Sequence, residues 1–317
     1  MKKISIIIPF YNRVEWAKEA IGSVLAQTYQ DFEIIIVDDG SDNDYKTELE
    51  SLDKRIRYLR QVNKGPSSAR NMGMKSASGY FIAFLDSDDL FLERKLEIQM
   101  GVMDDHPDVM FSHTSYYQVN DQGKQLNAIK SGQFTGNVYP GILAFCPIAT
   151  PTVMLRREVV EGLEFNERIR VAEDILLWSQ ISKKNLIIGI DIPLTNVRMH
   201  GKNAAIDLDK QLEGLSNIIK YGLDADSSIS KHDRNKVLHD IYRHIGYIHI
   251  KQKRYIHGFI NLTLAFKSGL SYKRFSEKLQ FLWPLAHSLS YKIAKKIIPG
   301  PIRKYLKDIA MSLFKPS

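Results

Sequence analysis

Cysteine is nearly absent. Cys146 is the single one in 317 residues, so no intrachain disulfide can form, and the composition suits a reducing compartment. No apolar run reaches the ~18 residues that a membrane span requires. The start, Met1-Lys2-Lys3, is charged, but the apolar run behind it stops at Pro9. A secretion signal needs a longer apolar region and a small-residue cleavage site, so this segment is expected to be a first strand. Internal repeats and low-complexity tracts are missing as well. Glycine is missing from the loop after the first strand, Pro9-Phe10-Tyr11-Asn12. That argues against a nucleotidyltransferase, which needs a Gly-rich basic loop there to cradle a triphosphate.

What is present is ordinary in bulk. With 44% hydrophobic and 25% charged residues, the chain suffices for one large domain or two smaller ones. The net charge of +8 is unevenly spread. Residues 231–317 hold 18 Lys and Arg against 4 Asp and Glu, whereas residues 1–230 hold 26 against 32. A mildly acidic body with a basic tail suggests that the tail meets something anionic, a membrane surface or a nucleic acid. No nucleic-acid recognition motif accompanies the charge.

Residues 3–9 form a continuous β-branched apolar run, expected as a buried strand. Residues 14–29 place Val14, Ala17, Ile21, Val24 and Leu25 at helical spacing. A second strand over 32–37 ends in Asp38-Asp39-Gly40-Ser41. Strand, helix, strand at this spacing is the βαβ pattern of a parallel, doubly wound sheet, whose ligands bind beyond the carboxyl ends of the strands. A helix over 44–53 and a strand over 56–61 follow. Asn63-Lys64-Gly65-Pro66 then reads as a loop opening a helix to about residue 76. Its backbone N–H groups, with Lys64 and Arg70, favour an anionic ligand. The remaining expectations are strands over 80–85, 108–118 and 186–190, helices over 91–104 and 173–182, and a hairpin turn at 120–123. A loop enters a strand over 147–157. Two mutually packed helices are expected over 232–266, and short basic amphipathic segments over 272–314.

The strand over 80–85 delivers Asp86, Asp88 and Asp89. Crowded carboxylates repel one another unless a hard divalent cation such as Mg²⁺ or Mn²⁺ lies between them. A solvated acidic turn is the alternative.

Six pieces, in order and spacing, resemble the family 2 inverting glycosyltransferases with a GT-A fold, of bacterial polysaccharide-biosynthesis type. They are Ile7-Ile8-Pro9-Phe10-Tyr11-Asn12, Val37-Asp38-Asp39-Gly40-Ser41-Asp42, and Asn63-Lys64-Gly65 with Ser68-Ala69-Arg70-Asn71. The others are Asp86-Ser87-Asp88-Asp89, Glu173-Asp174 with Leu177-Trp178, and Arg198 with His200. The likeness covers about residues 5–204. It implies an α/β fold, a Rossmann-like mixed sheet flanked by helices, with an α-helical C-terminal region. Residues 1–220 would form the transferase domain and 221–317 the basic helical region.

The resemblance implies transfer of a sugar, with inversion, from a nucleoside diphosphate donor, UDP-linked, to an acceptor hydroxyl. Asp174 would be the general base. Asp88 and His200 would hold Mn²⁺ or Mg²⁺, with Asp89 as the alternative contact. Pro9, Tyr11, Asp39, Arg70 and Asp86 would bind the nucleotide, and Glu173 and Trp178 the donor or acceptor sugar. Plainer readings stay open. Asp38 to Ser41 can be a strand-ending turn, Tyr11 a packed loop aromatic, and Arg70 a solvated charge. Glu173 can serve the helix dipole, Trp178 can anchor its helix from inside, and His200 can be a surface histidine. Cys146, with no nucleophile motif around it, is read as packing.

The tail lies outside the resemblance. Basic amphipathic helices lie well in an anionic membrane interface, though a solvated bundle face has the same pattern. The implied partners are a nucleoside diphosphate sugar, a glycan or lipid-linked glycan, and an anionic membrane surface, with no nucleic acid. The implied location is cytoplasmic, peripheral on the inner face of the cell membrane.

Overall fold

The computed structural model describes residues 4–200 and 207–269. Contacts divide the chain into two units, residues 1–229 and 230–317.

The first unit starts with strand β1, Ile4–Phe10, every residue of which is buried. Continuous apolar character is what a strand covered on both faces requires. Helix α1, Val14–Leu25, buries Ala17, Ala20, Ile21 and Val24 and returns the chain to β2, Phe32–Asp38. Helix α2, Lys46–Glu50, leads to β3, Ile56–Arg60. Helix α3, Pro66–Ser76, begins on Pro66, whose missing N–H costs nothing in a first turn. It lies directly against β1, for a Cβ on Gly73 would sit 2.4 Å from Cγ2 of Ile7. Strand β4, Phe81–Phe84, completes a parallel set in the order β3-β2-β1-β4.

The second half of this sheet is mixed. Its elements are β5 (Leu90–Phe91), α4 (Lys95–Asp105), β6 (Phe111–Val119), β7 (Gln125–Ile129), β8 (Met154–Arg156), α5 (Glu173–Ser182) and β9 (Ile187–Arg198). Strand β8 is antiparallel between β4 and β6, which restores β6 to the direction of β4. Strand β9 runs parallel to β6, β5 runs antiparallel at the far edge, and β7 pairs with β6 across the hairpin. The core joins the inner faces of β1 and β2 to α1 and to Leu96, Met100 and Met103 of α4.

Two elements differ from expectation. The last strand continues past residue 190 to Arg198, and β5 is a two-residue strand formed against it. Asp191 and Pro193 interrupt the apolar pattern, but the β6–β9 register shifts at Thr114/Ser115 and again before Tyr117, which absorbs them. Beyond β9, α6, Leu208–Asn217, runs on into a π-helical stretch, Ile218–Leu223, so residue 220 falls inside a helical segment.

The second unit contains α7, Lys231–Lys251, and α8, Tyr255–Gly269. The Ser230 hydroxyl caps α7 by accepting the Asp233 N–H at 3.1 Å. The two helices approach closely at small residues. A Cβ on Gly246 would lie 2.7 Å from Cγ of Leu262, and one on Gly258 would lie 2.8 Å from Cγ1 of Ile250. Among the described residues no helix is long and apolar enough to cross a membrane. The basic segments expected over 272–314 lie outside the described residues.

Candidate functional site

Strands β1, β2, β4, β6 and β9 all point the same way, so their carboxyl ends share one edge of the sheet. That edge carries Tyr11, Asp38-Asp39, the turn from Asp86, and Arg198 to His200. Pro9 is buried in β1 opposite Val37. Strand β4 pairs with β1 only as far as Ile7, so its chain departs just where Pro9 has no N–H to offer.

Asp38 is wholly buried and accepts hydrogen bonds from the Tyr58 hydroxyl at 2.6 Å and the Ser41 N–H at 2.8 Å. Its role is to hold the loop. Asp39, also buried, accepts from Gln61 Nε2 at 2.7 Å and from the backbone N–H groups of Lys64 and Gly65, both at 2.8 Å. Three donors on a carboxylate leave about one of its four lone-pair positions free. Gly40, at φ +79°, makes this possible, because a Cβ there would meet the Asn63 backbone N at 2.6 Å. Tyr11 is 46% exposed beside it, so the packed-aromatic reading does not hold. Asn12, in the left-handed region at φ 58°, is clamped by Ser41 and Asp42.

The acidic turn separates its three carboxylates. The Asp89 N–H donates to the Asp86 carbonyl at 3.0 Å, which turns Asp89 inward. Asp89 is buried and accepts the Arg198 backbone N–H at 2.8 Å. Burial, followed by the Asp88 and Asp86 charges, holds its carboxyl well above the usual range. It ties the turn to the end of β9. Asp88 is half-open. Its Oδ2 lies 2.8 Å from His200 Nε2 and 3.3 Å from Arg13 Nη1. The Trp16 ring lies under this group, with the His200 ring 5.3 Å away and the Arg13 and Arg198 guanidiniums at 4.8 and 4.9 Å.

Asp86 Oδ1 is joined to Arg70 Nη2 at 2.7 Å, and Arg70 Nη1 reaches Glu173 Oε1 at 3.1 Å. Arg70 is therefore no solvated charge. It is buried and lies over the Phe165 ring at 5.3 Å. Its bridge ties the acidic turn to the start of α5, where Ala172, at φ 68°, turns the chain into the helix. Asp174 accepts from its neighbour's N–H, that of Ile175, at 2.7 Å and from the Thr150 hydroxyl at 3.1 Å. Burial raises its proton affinity against those donors and Arg70. Glu173 is pushed up to about 7 by burial and then by the Asp174 charge, with Arg70 pulling the other way. Two adjacent carboxylates of this kind titrate as one unit. A carboxylate with raised proton affinity is a better base near neutral pH.

The donor set suits a divalent cation. A carboxylate oxygen and an imidazole nitrogen converge at Asp88 and His200. No group of three or more metal-ligating side chains exists among the described residues. The remaining coordination would come from ligand oxygens and water, as is usual for Mg²⁺.

Trp178 corrects one expectation. It is fully buried against Phe84, Phe111 and Phe165, with ring centroids 5.2–5.9 Å away, and reaches no sugar. One turn beyond Asp174, it occupies the face of α5 that packs on the sheet, as the plainer reading had it. Three residues escaped the sequence reading: Arg13, Trp16 and Thr150. Arg13 and Trp16 are three apart at the start of a helix, a spacing that brings them onto one face, but nothing local marks that face as part of a site. Tyr116 is a fourth. Burial, then the charges of Cys146, Asp89 and Asp174, push its hydroxyl up to about 12.

Residues 5–163 match the family described as Glycosyl transferase family 2. An uncharacterized glycosyltransferase of Rickettsia conorii is 49% identical over 232 residues, covering 72% of this chain and 38% of that one. The Escherichia coli UDP-Glc:alpha-D-GlcNAc-diphosphoundecaprenol beta-1,3-glucosyltransferase WfgD is 37% identical over 190 residues, 59% of this chain and 73% of that one. The mannosyltransferase PcManGT from Pyrobaculum calidifontis, solved with GDP-Man and Mn²⁺, has a TM-score of 0.57 at 14% identity over 96% of this chain and 83% of that one, a likeness of fold. The matches span 32–38% of the length of three Rickettsia relatives.

Proposed function

Since the chain belongs to glycosyl transferase family 2 and has a GT-A fold, we propose that it is a metal-dependent, inverting glycosyltransferase. It moves a sugar from a UDP-linked donor to a hydroxyl of a lipid-linked glycan in polysaccharide assembly. One observation carries this reading. Buried Arg70 joins the acidic turn at Asp86 to Glu173 and Asp174, whose proton affinity burial raises. A proton acceptor and a seat for a charged leaving group thus belong to one connected cluster.

Asp174 takes the proton from the acceptor hydroxyl as its oxygen attacks the anomeric carbon. The carbon–oxygen bond to the diphosphate breaks on the opposite face, and its electron pair leaves with UDP. Asp39, with its remaining acceptor position, and the open face of Tyr11 bind the base. Asp86, whose second oxygen is not used by Arg70, binds the ribose. Asp88 and His200 would hold the divalent cation, which supplies Lewis-acid neutralisation of the diphosphate when bound. Both the UDP donor and the lipid-linked acceptor find support in the name of the Escherichia coli relative, and Mn²⁺ in the structure of PcManGT.

The same reading puts the protein on the cytoplasmic face of the membrane. Helix α8 exposes Ile256, Ile260 and Leu264 at four-residue intervals, and residues 241–269 hold five Lys and Arg with no Asp or Glu. Such a helix suits an anionic lipid interface.

Calorimetry with UDP-glucose, UDP-N-acetylglucosamine and GDP-mannose, with and without Mn²⁺, is the test. A UDP-sugar should bind, and more tightly with Mn²⁺. Turnover should yield UDP. Release of pyrophosphate, or no binding of any nucleotide sugar, rejects the reading. Flotation with phosphatidylglycerol vesicles, but not phosphatidylcholine ones, is expected for the membrane part.

A further inference from the structure

Arg13 has no place in the reading above, yet its side chain occupies the metal end of the site. Its Nη1 is 3.3 Å from Asp88 Oδ2 and 3.3 Å from His200 Nε2, so one guanidinium touches both atoms that would hold the cation. A guanidinium and a divalent cation cannot share that spot, because like charges at contact repel. One of the two must move. Neighbouring Arg198 is tied down, its Nη2 on Glu19 at 2.8 Å and its backbone N–H on Asp89 at 2.8 Å. Arg13 has a lighter hold. Its guanidinium rests on the Trp16 ring at 4.8 Å, the side chain is 34% exposed, and the geometry of its Asp88 contact is long for an ion pair. A flat aromatic surface lets a guanidinium slide while keeping its cation–π contact.

We propose that Arg13 is a counter-ion latch. It neutralises Asp88 and keeps it beside His200 until a divalent cation arrives. It then pivots on Trp16 and turns its guanidinium to the donor's diphosphate. This rests on the metal-dependent reading of the site. It makes Arg13 a diphosphate contact that couples nucleotide and cation binding, since a ligand that recruits the displaced guanidinium favours the displaced state, and such coupling is reciprocal.

The test uses the full chain, titrated with Mn²⁺ alone, UDP alone, and UDP at saturating Mn²⁺, in the parent, Arg13→Gln and Arg13→Lys. For Arg13→Gln, Mn²⁺ alone should bind about tenfold tighter, because a partly exposed ion pair and a local repulsion are removed. UDP at saturating Mn²⁺ should bind about tenfold weaker, from loss of a charged contact to phosphate. Arg13→Lys should fall between, a point charge replacing the planar fork. Thermal unfolding should be unchanged for both variants, since the side chain is not in the core. Unchanged or weaker Mn²⁺ binding in Arg13→Gln overturns the latch. Tighter Mn²⁺ with unaltered UDP affinity overturns the transfer to the diphosphate. A parent protein in which Mn²⁺ leaves UDP binding unchanged rejects the metal reading itself, and the latch with it.

Discussion

Asp174→Asn separates chemistry from binding because the structure tolerates the amide. The asparagine carbonyl can still accept the Ile175 N–H, and the Thr150 hydroxyl can rotate to accept from the new NH₂, so the 2.7 and 3.1 Å contacts keep partners. What disappears is one buried charge beside Glu173. The proton affinity of Glu173, pushed up to about 7 by burial and Asp174 together, should fall back towards its ordinary 4.5. Loss of a general base costs about 10²–10⁴ in rate, or ~3–5 kcal/mol of transition-state stabilisation. UDP binding should stay within about twofold, since Asp39 and Tyr11 are untouched.

Transfer is read as release of nucleoside diphosphate from whichever nucleotide sugar binds in the calorimetric screen, with a lipid-linked glycan as acceptor, and binding by calorimetry. The pH profile adds a check. In the parent the base must be unprotonated and burial raises its proton affinity, so the rate should climb with pH over a range above that of an ordinary carboxylate, and the residual rate of Asp174→Asn should lack that limb. Stability follows the opposite course. The folded pair holds a proton that the unfolded chain gives up near 4.5, so the fold loses on the order of 3 kcal/mol as pH rises from 4.5 through about 7, and the variant should lose less. Transfer at the parent rate, or a slower rate explained by lost UDP binding, would falsify the assignment of the base.

Three further outcomes are expected. Lys95 is fully buried with its ammonium on Gln99 and 4.3 Å from the Phe91 ring, and burial lowers its pKa to about 7. Because the unfolded lysine binds a proton up to 10.5, stability should rise with pH between 7 and 10.5. Lys95→Met should therefore raise stability at pH 7 by about 2–4 kcal/mol, with the gain shrinking towards pH 10 in urea titrations. Trp178→Ala should cost about 3–5 kcal/mol, because three rings lose their common neighbour, and an equally stable variant would disprove its core role. Arg70→Met should cost about 3–5 kcal/mol by leaving Asp86 and Glu173 without their buried cation. It should also weaken nucleotide binding, checked by unfolding and calorimetry on the same sample.

Much of the molecule was legible residue by residue. The apolar runs that became β1, β2 and β4 and the helical spacing of α1 are local patterns, because each strand is covered on both faces and each helix on one. The start of α5 at Glu173 was equally plain. The end of β9 was not, since Asp191 and Pro193 mimic a strand end and only bulged pairing with β6 overrides them. The two-residue β5 could not be seen, because it exists only through β9. Trp178 carried two readings because spacing puts it on a defined face of its helix but does not say whether that face meets the core or the site.

The order of residue types along the chain determined the βαβ opening, the strand-end positions of Asp39 and Asp86 to Asp89, and the family. These depend on backbone period and on neighbours within one turn. Packing decided what each charged group does. It turned Asp89 inward, loaded Asp39 with three donors and buried Arg70 between carboxylates 16 and 103 positions away. It also set Arg13 against Asp88, 75 positions off. Desolvation and charge proximity depend on distance through space, so a group's proton affinity, partner and freedom to move follow only once distant segments have been brought together.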